Sequence, residues 1–322
     1  MQLNWFWIRL LKMRIDLDDR LSEIIPKENI IKNEDMSRHT TFRTGGPADY
    51  FLKVSKREEL KALIKLFYEE GLEFSKDYYV LGNGSNLLVS DEGFRGIILT
   101  LEGEFSECRM ESDTEIRAGA AVLNVAVANL ARDNSLTGFE FAHGIPGSIG
   151  GALVMNAGAY GGEMKQVVKS VTAIMEDGTE RVFGENELGF GYRTSVFKST
   201  CCVITDTLLC LKKGVKEEIE EVMDDLKNRR ISKQPLEYPS AGSTFKRPEG
   251  YFAGKLIEDA GLKGYTIGGA QVSEKHSGFV INKGQATSQD VYRLILDVQK
   301  KVLEFSGVEL SPEVILLGEF KE

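Results

Sequence analysis

Cysteine is scarce in this sequence, and its spacing excludes the sites that cysteine usually builds. The 322 residues contain no C-x-x-C pair, and the four cysteines are Cys108, Cys201, Cys202 and Cys210. This spacing predicts neither a zinc site nor a thioredoxin-like redox pair. Cys201 and Cys202 lie side by side in an apolar run, and they would point to opposite faces of a strand. We therefore expect reduced, buried thiols in a cytoplasmic protein without a bound metal.

Excess positive charge is also missing. The chain has 40 Lys and Arg residues against 49 Asp and Glu residues, a net charge of -9. Proteins that bind nucleic acid or anionic membranes present a basic patch or stripe, so we expect neither partner. A phosphate-bearing ligand would have to be held by backbone dipoles and a few well-placed cations.

No apolar run is long enough to span a bilayer. The opening segment, MQLNWFWIRLLKMRIDLDD, has a short apolar stretch but no small-residue cleavage site after it. We interpret it as neither a signal peptide nor a membrane anchor, which favours a cytoplasmic location. Met13 is an alternative start, which would make residues 1–12 an extension outside the fold.

The standard nucleotide-binding fingerprints are absent as well. In GNGSNLLV at 82–89, Leu87 stands where a dinucleotide fingerprint would have its third glycine, and no G-x-x-x-x-G-K-[ST] motif occurs. The segment follows a predicted strand, Tyr78 to Leu81. Its backbone N–H groups, with Ser85 and Asn86, could bind an anion. The same residues could instead form a simple glycine-rich turn between a strand and a helix.

Glycine, by contrast, is abundant and clustered. The 33 glycines gather around residues 45–46, 82–84, 144–162 and 242–284, which indicates backbone that needs positive φ or a close approach. In the segment 138–163, Pro146 predicts an irregular loop and Ser148 to Met155 predicts the start of a helix. The N-terminus of that helix would suit a pyrophosphate. His143 is typical of a hydrogen-bonded structural histidine rather than a catalyst.

Hydrophobic periodicity predicts a mixture of strands and helices. Residues 166–175 and 179–183 flank an E-D-G turn and predict a hairpin. After Gly214 the sequence becomes helical, and the last long helix is predicted to begin at Thr287 with a capping box. We predict a lead-in over residues 1–30, two lobes over 31–100 and 101–208, and a third α+β lobe over 209–322.

Seven motifs occur in the order expected of one family. They are HTTFRTGGPADYF, VLGNGSNLLVSD, GIPGSIGGALVMNAGAYGGE, GYRTSVFK, SAGSTFKRP, KHSGFVINKG and SPEVILLGEF. Through them, over residues 37–320, the chain resembles the UDP-N-acetylenolpyruvoylglucosamine reductase family. The resemblance implies the α+β fold of vanillyl-alcohol oxidase and p-cresol methylhydroxylase: a two-lobed FAD-binding domain, here with a C-terminal substrate-binding lobe.

The resemblance also implies the ligands. They are noncovalent FAD, NADPH as the reductant, and UDP-N-acetylenolpyruvoylglucosamine as the substrate of a step in peptidoglycan precursor synthesis. We expect a monomer with no nucleic-acid or membrane partner. The stretch between Arg193 and Ser243 leaves no room for the tyrosine-bearing loop of the longer, enterobacterial-type enzymes, so the chain resembles the compact subtype.

The family's functional residues carry over onto matching positions. The implied catalytic residues are Arg193 in GYRTS, Ser243 in AGSTFK and Glu313 in SPEV, with Lys246 as a substrate contact. The predicted cofactor contacts lie in the glycine-rich segments and are Arg43, Gly82, Asn83, Gly84, Ser85, Asn86, Pro146, Gly147, Ser148, Gly150, Gly151, Asn156 and Gly158.

The three catalytic residue types suit the reduction of an enolpyruvyl ether. Hydride addition at the terminal carbon leaves negative charge on the adjacent carbon and its carboxylate, where donors must be placed. Arg193 can clamp that carboxylate, and the Ser243 hydroxyl can deliver a proton. Taken singly, Arg193 and Ser243 could cap a loop and a turn, and Glu313 could pair with a surface lysine. The ordered motifs favour catalysis.

Two alternatives come from neighbouring classes. An oxidase of the same fold with covalent flavin usually has a histidine directly after an R-x-G-G turn, whereas Pro47 follows RTGG here. A non-catalytic nucleotide-sugar sensor would be expected to lose at least one of Arg193, Ser243 and Glu313, and all three are present.

Overall fold

The computed structural model describes residues 17–321, so the predicted N-terminal extension lies outside the described residues. The helices are α1 (residues 17–24), α2 (Arg57–Glu69), α3 (Asn124–Asp133), α4 (Ile149–Val154), α5 (Lys216–Lys233), α6 (Ala253–Asp259) and α7 (Ser288–Ser306). The strands are β1 (Ile30–Asp35), β2 (Pro47–Val54), β3 (Tyr78–Leu81), β4 (Leu87–Val89), β5 (Phe94–Leu101), β6 (Cys108–Met110), β7 (Glu115–Gly119), β8 (Leu136–Thr137), β9 (Gly158–Ala159), β10 (Gly162–Glu163), β11 (Val168–Met175), β12 (Glu180–Gly184), β13 (Cys202–Cys210), β14 (Lys212–Lys213), β15 (Thr266–Ile267), β16 (Ala270–Val272), β17 (Val280–Asn282) and β18 (Ile315–Leu317).

The first sheet is mixed and has the strand order β1-β2-β5-β3. Strand β1 runs antiparallel to β2, whereas β2 and β3 both run parallel to β5. Parallel strands need a crossover, and α2 supplies it between β2 and β3. The apolar face that helical spacing predicts for α2 is buried against this sheet, and it consists of Leu60, Leu63, Ile64 and Phe67.

The second sheet is antiparallel and has the order β12-β11-β13-β7-β6. The predicted hairpin is confirmed, because β11 and β12 pair from Ser170 opposite Gly184 to Ile174 opposite Glu180. Helices α3 and α4 contribute to the apolar core of this sheet. Among the described residues the two sheets are separate, which confirms the α+β class over one doubly wound parallel sheet.

Helix α5 does not pack where the sequence pattern predicts. The change of character after Gly214 predicts that a new lobe begins there. Instead, the two buried side chains of α5, Ile219 and Met223, belong to the apolar core of the second sheet. The periodicity predicted helix α5 correctly. The apolar face of α5 is too short to indicate from the sequence which apolar core it packs against.

The third group of elements combines α6 and α7 with the short sheet β15-β16-β17. Helix α7 begins as predicted, because Asp290 N donates to Thr287 Oγ1 and Thr287 N donates to the Asp290 carboxylate. It ends at Gly307, whose φ of 70° is left-handed. The sequence pattern missed β15, β16 and β17 because strands of two or three residues carry no readable alternation.

The chain end returns to the first half of the molecule. Strand β18 pairs in parallel with β4, with Ile315 opposite Leu87 and Leu317 opposite Val89. Phe42 and Leu88 are fully buried in the same apolar cluster as α7. The glycine-rich loop before β4 and the last strand of the protein are therefore held against each other.

A charged network joins α2 to the second sheet. Asp206 on β13, 7% exposed, accepts from Nη2 of Arg57 at 2.9 Å and from Nη1 of Arg117 at 2.8 Å. Arg57 also donates to Thr205 and Glu180. Since a buried carboxylate is stable only when it is paired and hydrogen-bonded, this network fixes the orientation of α2 on the second sheet.

None of the four cysteines is fully buried, and Cys108 and Cys202 are half-buried. Burial raises the pKa of Cys108 to about 11 and that of Cys202 to about 12, so both stay protonated. The expectation of buried thiols is wrong for Cys201 and Cys210, which are exposed. Cys201 precedes β13 and Cys210 ends it, so neither lies in the covered middle of the strand. In residues 17–321 no helix is long and apolar enough to cross a membrane.

Candidate active site

Three glycine-rich segments that are far apart in sequence meet in the structure. Ser85 Oγ donates to the Pro146 carbonyl at 2.6 Å, and Thr41 N donates to the Gly84 carbonyl at 3.2 Å. A Cβ on Gly82 would lie 2.5 Å from Ser148 Oγ, so the second and third segments are in contact at this point too. The glycines allow the three backbones to approach closely.

A cavity of about 830 Å³ opens beside this junction. Its walls include four of the predicted cofactor contacts, Arg43, Gly82, Asn83 and Pro146. The backbone N–H groups of residues 83–85 make no hydrogen bond to any residue in the described part of the chain. Free N–H groups in a glycine-rich loop form an anion-binding concavity, so these residues fit the diphosphate of a dinucleotide.

Loop 82–86 and helix α4 both differ from what the sequence predicts. The loop 82–86 joins strand β3 to strand β4, not a strand to a helix. At the N-terminus of α4, two N–H groups are already used, because Ile149 N donates to Val122 O and Gly150 N to Ala120 O, both at 2.8 Å. A pyrophosphate at this helix N-terminus stays a prediction and could use only the remaining N–H groups.

Several other predicted cofactor residues have a structural task. A Cβ on Gly150 would lie 3.1 Å from Ala120 Cβ, so that glycine allows close packing, and Gly151 N lies 3.5 Å from the capping Ser148 hydroxyl. Asn156 is buried and uses its amide on Glu163, on Gly191 O and on Lys165 N. The contact of these residues with a cofactor stays a prediction.

Arg193 and Glu313, 120 positions apart in the chain, form the centre of the site. Arg193 Nε lies 2.7 Å from Glu313 Oε1, and both side chains are mostly buried. The Nε–H of Arg193 makes no hydrogen bond with acceptable geometry to any residue in 17–321. The contact between Arg193 and Glu313 is therefore an ion pair rather than a directed hydrogen bond. Nη1 of Arg193 lies 3.4 Å from the Gly158 carbonyl, which gives Gly158 a positioning role.

Two loops place Glu313. Its backbone N–H donates to Thr244 O at 2.8 Å, and its carbonyl accepts from Asn86 Nδ2 at 3.0 Å. Lys246 N donates to Ser311 O, so the residues after Ser243 run antiparallel to the segment that carries Glu313. The predicted cofactor residue Asn86 thus holds the segment of a predicted catalytic residue.

The electrostatics of the site depend on burial and on three cations. Burial raises the pKa of Glu313, and the neighbouring charges of Arg193, Lys198 and Lys246 oppose that rise. Burial lowers the pKa of Lys198, with further lowering from Lys246 and Arg193. Lys198 Nζ donates to Arg193 O at 2.8 Å. The sequence interpretation missed Lys198, although it ends the motif GYRTSVFK.

Ser243 lies at the boundary between two cavities. It lines a second cavity of about 370 Å³ together with Arg193 and Glu313, while its neighbour Gly242 lines the larger one. Gly242 has a φ of 73°, a conformation that side chains disfavour. The turn at Gly242 therefore projects an exposed serine hydroxyl into the smaller cavity, close to where the cofactor cavity begins.

The far end of the smaller cavity contains residues that the sequence interpretation did not select. Arg247 N donates to the Tyr192 hydroxyl at 3.0 Å, and the Arg247 guanidinium lies over the Phe252 ring at 3.9 Å. His276 completes this wall, and its Nδ1 accepts from Gly278 N at 3.1 Å. The sequence signal was the position of Arg247 directly after Lys246 in the motif SAGSTFKRP.

Comparison with known proteins identifies the family. The model described as UDP-N-acetylenolpyruvoylglucosamine reductase, C-terminal domain, matches residues 234–317, and an FAD binding domain model matches residues 48–184. The chain is 50% identical to a UDP-N-acetylenolpyruvoylglucosamine reductase of Caldanaerobacter subterraneus over 94% of this chain and 98% of that protein. This chain belongs to the UDP-N-acetylenolpyruvoylglucosamine reductase family.

Further relatives agree with this assignment. A UDP-N-acetylenolpyruvoylglucosamine reductase of Lachnoclostridium phytofermentans is 49% identical over 93% of this chain and 96% of that protein. The crystal structure of the Thermus caldophilus enzyme is similar, with a TM-score of 0.77 and 37% identity over 90% of this chain and 98% of that chain. The resemblance seen in the ordered motifs and the FAD-binding fold are both confirmed.

The structure predicts that Gly84 is required for cofactor binding. A Cβ at this position would lie 1.9 Å from the His39 carbonyl oxygen. Gly84→Ala should therefore force the loop 82–86 away from the turn formed by residues 39–41. The matched control is Gly71→Ala, because Gly71 also has positive φ but open space around it. We expect purified Gly84→Ala protein to lose most of its flavin absorbance per mole of protein and Gly71→Ala to retain it. Full flavin content in Gly84→Ala would contradict this.

Proposed function

We propose that this protein is an FAD-dependent, NADPH-consuming enzyme that reduces the enolpyruvyl group of UDP-N-acetylenolpyruvoylglucosamine to give UDP-N-acetylmuramate. One observation carries the proposal: Arg193, Glu313 and Ser243 line one cavity that adjoins the cavity of the cofactor loops. The step belongs to peptidoglycan precursor synthesis in the cytoplasm, and so to cell-wall growth and division. We propose that the enzyme acts as a monomer.

The chemistry divides between the cofactor and this chain's own residues. When bound, FAD supplies the hydride that it has received from NADPH. Hydride arrival at the terminal enolpyruvyl carbon leaves negative charge on the adjacent carbon and its carboxylate. Arg193 can bind that carboxylate, because the guanidinium presents several N–H groups on one plane and Glu313 fixes its orientation.

Glu313 has two possible tasks that its environment supports. As a carboxylate 2.7 Å from Arg193, it orients the arginine. As a group whose pKa burial raises, it holds a proton to higher pH than an exposed glutamate and can share it with the enolate. Lys198 and Lys246 offset the negative charge of the substrate, and Lys246 can stabilise an alkoxide or a phosphate.

The lobe boundaries are also a proposal. We propose that two cofactor-binding lobes extend over residues 31–100 and 101–233 and that the substrate-binding lobe begins near residue 234. The packing of α5 in the core of the second sheet supports the later boundary, and so does the start of the matched C-terminal domain. The substrate-binding lobe then contributes both Ser243 and Glu313.

The function predicts a substrate-dependent consumption of NADPH. Purified protein should oxidise NADPH rapidly only when UDP-N-acetylenolpyruvoylglucosamine is present, as measured by absorbance at the NADPH band. The same preparation, precipitated with acid, should release yellow flavin into the supernatant. NADPH oxidation that is unchanged by the substrate would contradict the proposal, and flavin that stays in the pellet would favour the covalent-flavin oxidase.

The site predicts that catalysis needs the planar guanidinium of Arg193, whose two parallel N–H donors bind the substrate carboxylate. Arg193→Lys keeps the charge but loses the two parallel donors, so turnover should fall about 10²–10³-fold, close to the loss in Arg193→Ala. The control is Arg181→Lys, since Arg181 forms an exposed pair with Glu187. Steady-state turnover and flavin content are measured together. Near-normal turnover in Arg193→Lys would remove the clamp assignment.

Ser243 is predicted to donate the proton to the carbon adjacent to the substrate carboxylate. Ser243→Ala should reduce FAD with NADPH at the normal rate but reoxidise it about 10²–10⁴-fold more slowly with substrate. Ser243→Cys should recover part of the loss because a thiol can donate. The control is Ser232→Ala on the exposed face of α5. Stopped-flow traces that are slowed equally in both half-reactions would make Ser243 a turn residue only.

A further inference from the structure

Arg230 is a largely buried cation whose charge no described residue neutralises. Its Nε donates to Gln234 Oε1 at 2.9 Å, and no carboxylate in residues 17–321 forms an ion pair with it. Burial lowers the pKa of Arg230, as expected for a cation that has lost water without gaining an anion. Its neighbour Arg229 is exposed and pairs with Asp225 at 2.8 Å.

The chain makes room for the Arg230 side chain at Gly144. A Cβ on Gly144 would lie 2.9 Å from Arg230 Nη1 and 3.0 Å from Cδ. The arginine side chain therefore packs directly on the backbone of the loop that contains Pro146. This contact fixes a guanidinium between α5 and the cofactor loops.

Arg230 and Lys227 line the 830 Å³ cavity together with Gly82, Asn83 and Pro146. Oxidised FAD carries its formal negative charge on the diphosphate alone. A partly desolvated cation is stabilised most strongly by a formal negative charge, because charge-assisted hydrogen bonds are stronger than those to neutral carbonyls. In a protein of net charge -9, cations at the cavity favour the approach of a diphosphate.

We propose that Arg230, assisted by Lys227, binds the diphosphate of the dinucleotide cofactor from α5, together with the N–H groups of residues 83–85. This assignment rests on the proposed function, since it takes FAD to be the occupant. It gives α5 a binding role that no glycine-rich motif reveals.

The test compares flavins that differ in their phosphates. Apoprotein is titrated with FAD and with riboflavin, and quenching of flavin fluorescence gives Kd for wild type, Arg230→Met and the control Arg229→Met. We expect Arg230→Met to weaken FAD about 10- to 100-fold and riboflavin less than about twofold. Arg229→Met should bind both flavins as wild type does.

A second variant keeps the charge and moves it. Gly144→Ala requires no unusual backbone, and its methyl group would displace the flexible end of Arg230. It should also weaken FAD selectively, with an unchanged circular dichroism spectrum. An Arg230→Met variant that does not fold therefore leaves Gly144→Ala to decide.

The outcomes separate this inference from the proposed function. Wild-type protein that binds no FAD would overturn the function itself. If Arg230→Met and Gly144→Ala bind FAD with the wild-type Kd, only the phosphate contact is overturned. The same holds if these variants weaken riboflavin as much as they weaken FAD. Unchanged FAD binding with a raised KM for NADPH would place Arg230 at a phosphate of the reductant and would likewise overturn it.

Discussion

The parallel pairing of β18 with β4 is the constraint on which the site depends. It brings the last segment of the chain against the strand that leaves the glycine-rich loop 82–86. Asn86 then holds the Glu313 carbonyl on one side, and Thr244 accepts from the Glu313 N–H on the other. A three-residue strand thus links the cofactor loop, the Ser243 loop and the acid that pairs with Arg193. Shifting this register by one residue would turn Glu313 away from the arginine.

The charge distribution shows how an acidic protein can receive anionic ligands. The net charge of -9 is offset locally, because Arg193, Lys198 and Lys246 surround one carboxylate. Screening in water would weaken such a cluster on an open surface, whereas partial burial strengthens each interaction. The same burial raises the pKa of Glu313 and lowers that of Lys198, so the site is tuned by position rather than by unusual residue types.

Glycine has two separate tasks in this structure. At Gly150 the missing Cβ permits a close contact with Ala120, and at Gly84, whose φ is also left-handed, it permits a close contact with His39. At Gly242 the surroundings are open and the left-handed backbone is what the turn requires. The clustering of glycines in the sequence cannot distinguish these two tasks, because both of them require glycine. For this reason several expected cofactor contacts proved to be packing positions first.

The sequence by itself determined the family, the mixed α+β class and the individual longer elements such as α2 and α7, and it singled out Arg193, Ser243 and Glu313 as candidate residues, which line one cavity. Local periodicity, capping residues and ordered motifs carry that information, because each depends on neighbours within a few residues. Only the tertiary structure decided that α5 packs on the second sheet, that two N–H groups at the α4 N-terminus are already hydrogen-bonded, that Lys198 lies beside Arg193, and that Arg230 lines the larger cavity. Most of these depend on contacts between residues far apart in the chain, and the pattern of any one segment does not contain its partner.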